Sequence, residues 1–344
     1  VGNLNKNSDT EYTVDFTITD GGTDYAAGDD IPVTDLQLND GGTQGNTGNT
    51  PISQGGDPID ANNPAAFTTG AVVTTDGTVV ANYWNGTNTG VDVTIPIDND
   101  ASLDGGTVQL EADASGGGFT AVGAAVNIAA GDLGNSVTAS APDTDIEALS
   151  GFGEGDTLTF RAVITDAAGN STTGADSGDT LTVDETAPSF VSVADTGDGN
   201  YRAGETIDFD VDMGESGLSV EADLSVLDTD FSATQAFADD GDGTYSYTTA
   251  ALDAGNNMQE GTAIAVPITA TDTAGNSTGD NSLTLELDKT APVGFTTGAV
   301  VTTDGTVVTD YWNGTNTGVH VTIPIDNDTS LDGGTVQLEA DASG

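Results

Sequence analysis

Carboxylates are the groups most able to do chemistry in this 344-residue chain, and cation binding is the chemistry they favour. Acidic residues outnumber basic ones by 56 to 4, which gives a formal net charge of -52. Clustered carboxylates coordinate hard divalent cations, and calcium takes about six to eight oxygen ligands at about 2.3–2.6 Å. The same charge excludes nucleic acids and anionic membrane surfaces as partners, because binding to either requires a basic surface.

Other reactive groups are scarce. The chain has no Cys and a single His, His320, so nucleophilic triads and zinc sites lack components. Carboxylate pairs alone could serve a glycosidase, although chance pairs are unavoidable in so acidic a chain. We therefore predict that the protein is not an enzyme and has no catalytic residues.

Two Tyr-Trp pairs, Tyr83-Trp84 and Tyr311-Trp312, lie beside predicted Asn-Gly turns. Exposed, these rings could stack on sugars; buried, they would anchor a core. Packing in a core or an interface is the interpretation we favour. Asn85 begins an Asn-Gly-Thr triplet, which is a glycosylation acceptor in an exported protein, although turn chemistry alone also explains it. Triplets of the same kind begin at Asn170, Asn276, Asn313 and Asn327.

Short runs of alternating apolar and polar residues, such as 158–164 and 206–211, predict β-strands. High charge is also a signature of disorder, but the ordered alternation favours a folded all-β chain. Gly, Asn and Asp supply the turns between the runs. The acidic stretches 195–200 and 239–242 are predicted to be hairpin turns, because neither has the spacing of an EF-hand. The run of about 18 apolar residues that a membrane helix needs is absent from the sequence.

A long internal repeat is the strongest signal in the sequence. Residues 64–116 and 292–344 align without a gap at an offset of 228 and differ at six of 53 positions. Such similarity indicates recent duplication of a large unit, and we expect 292–344 to be the N-terminal half of a further domain. The differing pairs are 65/293, 66/294, 81/309, 82/310, 92/320 and 101/329.

A weaker repeat divides the 228-residue unit. The sequence Thr-Asp-x-Ala-Gly-Asn-Ser-Thr occurs at 165–172 and again at 271–278. An alternating strand follows each copy and runs into Asp-x-Thr-Ala-Pro, at 184–188 and 288–292. Pro suits a domain boundary, because it cannot donate a hydrogen bond to a sheet. The predicted domains are 64–187 and 188–291.

The N-terminal segment fits the same scheme. Residues 12–20 alternate as 158–166 do, and a second alternating stretch follows at 31–38. We predict that 1–40 holds the C-terminal strands of a preceding domain, with a distinct small β module as the alternative. Residues 41–63, rich in Gly, Asn and Thr, are predicted to form a flexible linker.

The chain resembles the immunoglobulin-like repeat domains of large bacterial and archaeal surface adhesins and biofilm-matrix proteins. Two motifs carry the resemblance: the Thr-Asp-x-Ala-Gly-Asn-Ser-Thr sequence, which we interpret as a hairpin, and the Asp-x-Thr-Ala-Pro sequence, which we interpret as a linker between domains. The resemblance covers 64–344 well and 1–63 loosely. It implies tandem immunoglobulin-like β-sandwiches in an elongated array, outside the cell or at its surface. These motifs are specific for the domain type but not for one protein, because such repeats occur in very different surface molecules.

In such a sandwich, the B–C and F–G loops lie at the pole where the preceding linker meets the first strand. Acidic and Asn residues occur in all of these predicted segments, so we predict calcium ions that stiffen the domain junctions. Asp and Asn in such loops also commonly just satisfy turn backbones. The predicted ligands are Asp60, Asp98, Asp100, Asp104, Asp166 and Asn170 for the first domain; Asp184, Glu185, Asp212, Glu215, Asp272 and Asn276 for the second; and Asp288, Asp326, Asp328 and Asp332 for the third.

The predicted function is structural or adhesive, as a fibre or stalk of a surface or matrix protein. One alternative is a subunit of an S-layer, sheath or extracellular filament assembled by lateral or strand-exchange contacts, and another is a carbohydrate-binding module. Expected partners are neighbouring domains, further copies of the chain, or a glycan or cell-surface target. The excess of Asp and scarcity of Lys also suit a halophilic protein, whose carboxylates keep it hydrated in concentrated salt.

Overall fold

In the computed structural model, the chain forms two compact units. The first comprises 1–186 together with Ala274–Asn276, and the second comprises 187–273 and 277–344. The structure describes residues 4–8, 11–14, 60, 62–253, 255, 257–327, 331 and 333–341.

The first unit begins with an antiparallel hairpin of β1 (Leu4–Ser8) and β2 (Glu11–Val14). Nearly all of the predicted linker at 41–63 and the alternating stretch at 31–38 lie outside the described residues. The assignment of 1–40 to a preceding domain therefore stays a prediction.

Residues 62–186 form a β-sandwich. Its strands are β3 (Val72–Thr75), β4 (Tyr83–Trp84), β5 (Gly90–Pro96), β6 (Thr107–Ala114), β7 (Thr120–Asn127), β8 (Ser136–Pro142), β9 (Thr157–Thr165), β10 (Ser171–Thr173) and β11 (Leu181–Val183). One sheet has the order β3-β5-β8, and the other has the order β4-β11-β9-β6-β7, with β10 also on β9. The pair β4–β11 is parallel, and the remaining pairs of this sandwich are antiparallel. A 3-10 turn at Ala101–Leu103 and the four-residue helix α1 (Asp143–Ile146) complete it.

The alternating pattern buries one face of each sheet, because successive side chains of a strand point to opposite sides. Every second residue is buried from Leu158 to Ile164 in β9 and from Val108 to Ala114 in β6. Val93 and Ile95 of β5 face them from the other sheet, within one continuous apolar core.

The second unit contains another sandwich. Its strands are β12 (Ser192–Asp195), β13 (Asn200–Arg202), β14 (Asp208–Asp212), β15 (Ser219–Ala222), β16 (Gln235–Ala236), β17 (Ala238–Asp239), β18 (Thr244–Thr248), β19 (Gly261–Ala265), β20 (Ile268–Thr271), β21 (Ser277–Asp280) and β22 (Thr284–Asp288). They form the sheets β12-β14-β18-β17, β16-β15-β20-β21 and β13-β22-β19. A 3-10 turn spans Leu224–Val226. The core of this second sandwich includes Phe209, Val220, Tyr245 and Ile268.

Both sandwiches share one feature that positions the linkers. In each, a short strand early in the domain pairs in parallel with the domain's last strand, β4 with β11 and β13 with β22. The Asp-x-Thr-Ala-Pro motif begins directly after β11 in the first sandwich and at the last residue of β22 in the second. The sequence-based prediction of an all-β, immunoglobulin-like fold is confirmed. No helix in the described part of the chain is long and apolar enough to cross a membrane.

One of the two acidic turns differs from its prediction. The stretch 195–200 is not a hairpin, because β12 pairs with β14 whereas β13 pairs with β22. It carries the chain between two sheets, and its Asp195 Oδ2 accepts a 2.6 Å hydrogen bond from the Tyr201 hydroxyl. Burial and this carboxylate raise the pKa of Tyr201 above its ordinary range. The stretch 239–242 is a hairpin, since β17 pairs with β18.

The second copy of the long repeat contains the hairpin of β23 (Val300–Thr303) and β24 (Gly318–Val321). Its register repeats that of β3 and β5, with Val300 opposite Val321 as Val72 is opposite Val93. Many of its large apolar side chains are exposed. That 292–344 is half of a domain stays a prediction.

Candidate functional site

The F–G turn of the first sandwich is organised by the carboxylate of Asp166, which is buried. Its Oδ1 accepts hydrogen bonds from the backbone N–H groups of Ala168, Gly169 and Asn170 at 2.8–2.9 Å. Its Oδ2 accepts one from Asn170 Nδ2 at 2.9 Å. Asp favours turns because its side chain can satisfy backbone donors in this way. Both carboxylate oxygens of this predicted ligand are therefore engaged within its own turn.

The same turn holds the segment that leads into the sandwich. Asn170 Nδ2 also donates to the backbone carbonyl of Asp60 at 3.0 Å, and Thr172 Oγ1 donates to the carbonyl of Pro64 at 2.6 Å. Asp60 lies four residues before Pro64, the first residue of the predicted domain. The motif Asn thus joins the F–G turn to a residue more than 100 positions earlier.

The second copy of the motif makes the corresponding contact. Ala274–Asn276 belongs to the first compact unit, where Asn276 Nδ2 donates to the backbone carbonyl of Asp184 at 2.8 Å and lies 3.3 Å from its Oδ1. Asp184 lies four residues before Pro188, as Asp60 does before Pro64. We call this contact the linker hydrogen bond. It joins the Asn of the Thr-Asp-x-Ala-Gly-Asn-Ser-Thr motif to the backbone carbonyl of the Asp that lies four residues before the first Pro of the domain.

Further contacts surround the second linker hydrogen bond. Asn276 Oδ1 accepts from the N–H of Gly86 at 3.1 Å. Asn85 is fully buried, and its Nδ2 donates to the carbonyls of Thr78 and Ala274, each at 2.7 Å. From the sequence, Asn85 was interpreted only as the first residue of a turn and of a glycosylation triplet. Its recurrence as Asn313 was a signal that the turn is structural, but nothing in the sequence indicated the contact with Ala274.

Trp84 is buried, which confirms the predicted core packing for the first Tyr-Trp pair, whereas Tyr311 and Trp312 of the second pair are 70% and 60% exposed and do not pack in a core. The exposed fraction of Trp84 is 0%, its ring meets Phe152 edge-on at 6.5 Å, and its Nε1 donates to Glu185 Oε1 at 3.2 Å. Trp84 therefore cannot stack on a sugar in the folded sandwich. The burial of Asn85 likewise leaves no room for a glycan on its amide.

The predicted B–C ligands of the first domain act as turn caps. Asp98 Oδ1 accepts from the N–H of Asn99 at 2.7 Å. Asp100 caps the 3-10 turn, its Oδ1 accepting from the N–H and hydroxyl of Ser102 at 3.0 Å. The turn ends at Asp104, whose N–H donates to the carbonyl of Ala101. All three Asp residues are exposed, so a cation would reach them from solvent.

Most other predicted ligands also contact their own turns. Asp212, Asp288 and Asp326 each accept from a backbone N–H one or two residues ahead, at 2.8–2.9 Å.

Within the described residues, no three His, Cys, Asp or Glu side chains lie close enough together to hold a metal ion. The calcium ligands stay a prediction. The remaining positions are Glu215, whose carbonyl accepts from the Tyr245 hydroxyl; Asp272, in the turn between β20 and β21; and Asp328 and Asp332, outside the described residues.

An acidic group with a shifted pKa lies beside the second linker. Partial burial, and then the charges of Glu185 and Asp143, raise the pKa of Glu147. Glu154 is nearby, because its Oε2 accepts from the N–H of Glu185 at 3.0 Å. Like charges at short range disfavour ionisation, and three acidic residues, Glu147, Glu154 and Glu185, lie in or beside this linker.

Comparison with known proteins gives only distant similarity. No known protein family and no curated protein matches the sequence. Among solved structures, the FN1–FN3 domains of chicken CNTN1 match with a TM-score of 0.34 and 12% identity, over 67% of this chain and 75% of that one. A marsupial T cell receptor matches with a TM-score of 0.34 and 12% identity, over 70% and 90%. SGBP-B of the Bacteroides ovatus mixed-linkage glucan utilization locus, in complex with a heptasaccharide, gives 0.17 and 15%, over 73% and 51%. Similarity this low carries no information on function, and the sandwich assignment rests on the strand pairing above.

Proposed function

We propose that this chain is a structural or adhesive repeat region of an extracellular surface protein, in which sandwiches joined by restrained linkers form a fibre or stalk. The linker hydrogen bond carries the proposal, because it occurs at the two Asp-x-x-x-Pro segments that lead into the two sandwiches, from Asn170 to Asp60 and from Asn276 to Asp184. A fibre needs linkers that resist bending, whereas a linker without contacts behaves as a flexible coil.

The second linker has several restraints. The N–H of Asp184 donates to the carbonyl of Trp84 at 2.8 Å, and its own carbonyl accepts from Asn276. The N–H of Glu185 donates to Glu154, and its side chain accepts from Trp84. Each such bond contributes about 0.5–1.5 kcal/mol net. Together they can offset the cost of fixing two backbone residues, about 1–2 kcal/mol each.

The variant Asn276→Ala tests this restraint. We expect it to broaden the distribution of molecular dimensions in small-angle scattering and to speed proteolysis between Asp184 and Pro188 about fivefold, the equivalent of one lost hydrogen bond. Asn200→Ala is the matched control, because Asn200 Nδ2 donates to a carbonyl inside its own turn.

The two variants must melt at similar temperatures for the comparison to hold. If Asn276→Ala then leaves both the scattering and the cleavage rate unchanged, the linker is not restrained by this bond, and the fibre proposal loses its support.

Calcium is part of the proposal as a second restraint on the linkers. The acidic side chains of Glu147, Glu154 and Glu185, in or beside the second linker, would attract a cation. Asp166 is the least favourable of the proposed ligands, because coordination would replace four hydrogen bonds of its turn.

A second candidate function is a subunit of an S-layer, sheath or filament held by contacts between chains. It is favoured by the exposed apolar residues of the second copy, among them Phe295, Val336 and Leu338. The carbohydrate-binding alternative has less support. Trp312 is exposed, but its counterpart Trp84 is buried in a sequence context that differs nearby only at 81/309 and 82/310. That the protein is not an enzyme stays a prediction.

A further inference from the structure

A loop of the first sandwich adjoins the second copy of the Ala-Gly-Asn turn. We call residues 76–89, which run from β3 to β5 and include β4, the docking loop. We call Ala274–Asn276, which belongs to the same compact unit, the docked turn. All three residues of the docked turn are buried, whereas Ala168 and Gly169, the counterparts of its first two residues, are exposed. The burial of the docked turn therefore comes from its surroundings and not from the motif itself.

Hydrogen bonds from the docking loop select the first and last residues of the docked turn. Asn85 Nδ2 donates to the carbonyl of Ala274 at 2.7 Å, and the N–H of Gly86 donates to Asn276 Oδ1 at 3.1 Å. Asn276 Nδ2 donates in turn to the carbonyl of Asp184, so both ends of its amide are used. An ionised Asp at this position could only accept hydrogen bonds, and would place an oxygen against that carbonyl. The arrangement therefore requires Asn.

The middle residue of the docked turn is selected by shape. A methyl group placed on Gly275 would lie 2.8 Å from Thr78 Cγ2 and 2.9 Å from Val80 Cγ2, whereas packed carbon atoms lie about 3.5–4.0 Å apart. Thr and Val are stiff at χ1 because they are β-branched, so neither methyl group moves aside easily. Within the described residues, nothing lies within 4 Å of a methyl group placed on Gly169, although its φ of 97° resembles the 93° of Gly275. Backbone conformation alone favours Gly169, whereas the docking loop also requires Gly275.

The docking loop recurs with the long repeat. Asn313 Nδ2 donates to the carbonyl of Thr306 at 2.6 Å, as Asn85 Nδ2 does to that of Thr78 at 2.7 Å. The loop is therefore shaped by bonds within itself, and both copies have the residues that adjoin the turn. Thr78, Val80, Asn85 and Gly86 recur as Thr306, Val308, Asn313 and Gly314.

We propose that the docking loop is a recognition surface for the Ala-Gly-Asn turn of the repeat motif, and that Gly275 determines its specificity. Its partner is a turn with a small buried residue, then a Gly at positive φ with no space for a Cβ, and then an Asn whose amide both donates and accepts. An F–G turn without this sequence is rejected, so the loop selects which repeat follows in the array. The inference rests on the proposed function and deepens it, because it names what the restrained linker selects.

The test is a complementation experiment in the full chain. Gly275→Ala should speed proteolysis between Asp184 and Pro188 by about tenfold or more, because an overpacked contact opens more often. Thr78→Ser and Val80→Ala remove the two methyl groups that the new Cβ would meet. Added together to Gly275→Ala, they should return the cleavage rate to within about twofold of the rate that they give without it.

Gly169→Ala is the matched control. It introduces the same backbone strain at nearly the same φ, but in a turn whose Asn reaches Asp60 and not Asp184. Cleavage between 184 and 188 should therefore keep its wild-type rate in this variant. The inference is overturned if Gly275→Ala leaves that rate unchanged, or if the two smaller side chains fail to slow the cleavage of Gly275→Ala. Strain within the turn, and not recognition by the docking loop, would then explain Gly275.

This test and the test of the linker hydrogen bond fail separately. If Asn276→Ala speeds cleavage but the smaller side chains do not rescue Gly275→Ala, the linker is restrained without selection by the docking loop, and the inference is overturned alone. If the rescue occurs but Asn276→Ala has no effect, the docking loop recognises the turn by shape, and the linker hydrogen bond is the part that fails.

Discussion

At the residue scale, side-chain amides make the contacts that join the F–G turns to the linker carbonyls. Asn170 and Asn276 each reach a backbone carbonyl about 100 residues away, whereas Asp100, Asp166 and Asp212 bond within their own turns. The reason is that a backbone carbonyl needs a hydrogen-bond donor, whereas an ionised carboxylate can only accept hydrogen bonds. An amide supplies that donor without adding charge to a chain that already has 56 acidic residues.

Glu147 gives a prediction about pH. Its pKa is raised by partial burial and by Glu185 and Asp143, so the folded state binds its proton more tightly than the unfolded chain does. Ionised Glu147 therefore opposes folding, and this cost appears as pH rises through the raised pKa. We expect Glu147→Gln to raise the melting temperature at about pH 7 and to have no effect at about pH 3, where the carboxyl is protonated in both states.

Glu221→Gln, an exposed position on β15, is the control for losing one charge from so acidic a chain. An equal gain from both variants at neutral pH would mean that net charge, and not the neighbours of Glu147, produces the effect.

At the element scale, the two copies of the long repeat show which strands form from local sequence. The hairpin of β3 and β5 and that of β23 and β24 have the same register. The strand β6 has no equivalent strand at 335–341, although the sequence there is identical. Only the 14 residues 76–89 separate β3 from β5, whereas β6 is paired along its length with β9, some 50 residues away.

A matched pair of variants measures this difference. Trp84→Ala should destabilise the first sandwich by about 3–5 kcal/mol, because it removes a buried ring from a packed core. Trp312→Ala should change stability by less than about 0.5 kcal/mol, the range of exposed substitutions. Both are read from denaturant unfolding followed by far-UV circular dichroism. Similar losses from the two variants would show that the second copy is covered in solution.

At the scale of the whole molecule, charge dominates. Four basic residues cannot pair with 56 acidic ones, so most carboxylates repel each other at low ionic strength. Salt shortens the range of this repulsion from about 10 Å at 0.1 M to about 3 Å at 1 M. General screening and specific calcium binding would both stabilise the chain, but they differ in the concentration and in the ion that they require.

Melting temperatures at matched ionic strength separate these two effects. If calcium holds the linkers, millimolar calcium should raise the melting temperature and shift the scattering profile more than magnesium or sodium chloride does, and a chelator should reverse both changes. Asp184→Asn should weaken the calcium response, while Asp176→Asn, an exposed Asp outside the predicted ligand set, should not. Equal responses to all three salts would assign the carboxylates to general screening in a halophilic protein.

The sequence alone predicted the all-β fold, both F–G hairpins and the local turns. The Asn-Gly-Thr turn shows why, since Asn85 and Asn313 each bond a Thr hydroxyl two residues ahead at 2.6 Å, whether or not the surrounding core is closed. In the Asp-Gly turns that precede them, Gly77 and Gly305 have φ of 60° and 61°, a region that Gly occupies without strain. Interactions between residues close in sequence do not depend on the rest of the fold.

Only the tertiary structure decided the difference in burial between Trp84 and Trp312, the crossing of the chain between sheets at 195–200, and the partners of Asn170 and Asn276. Identical residues are core in one copy of the repeat and exposed in the other. Composition and periodicity identify a face that can be buried, but they do not identify the segment that covers it. That choice depends on strands and carbonyl groups distant in the chain, and it is made only when folding brings them into contact.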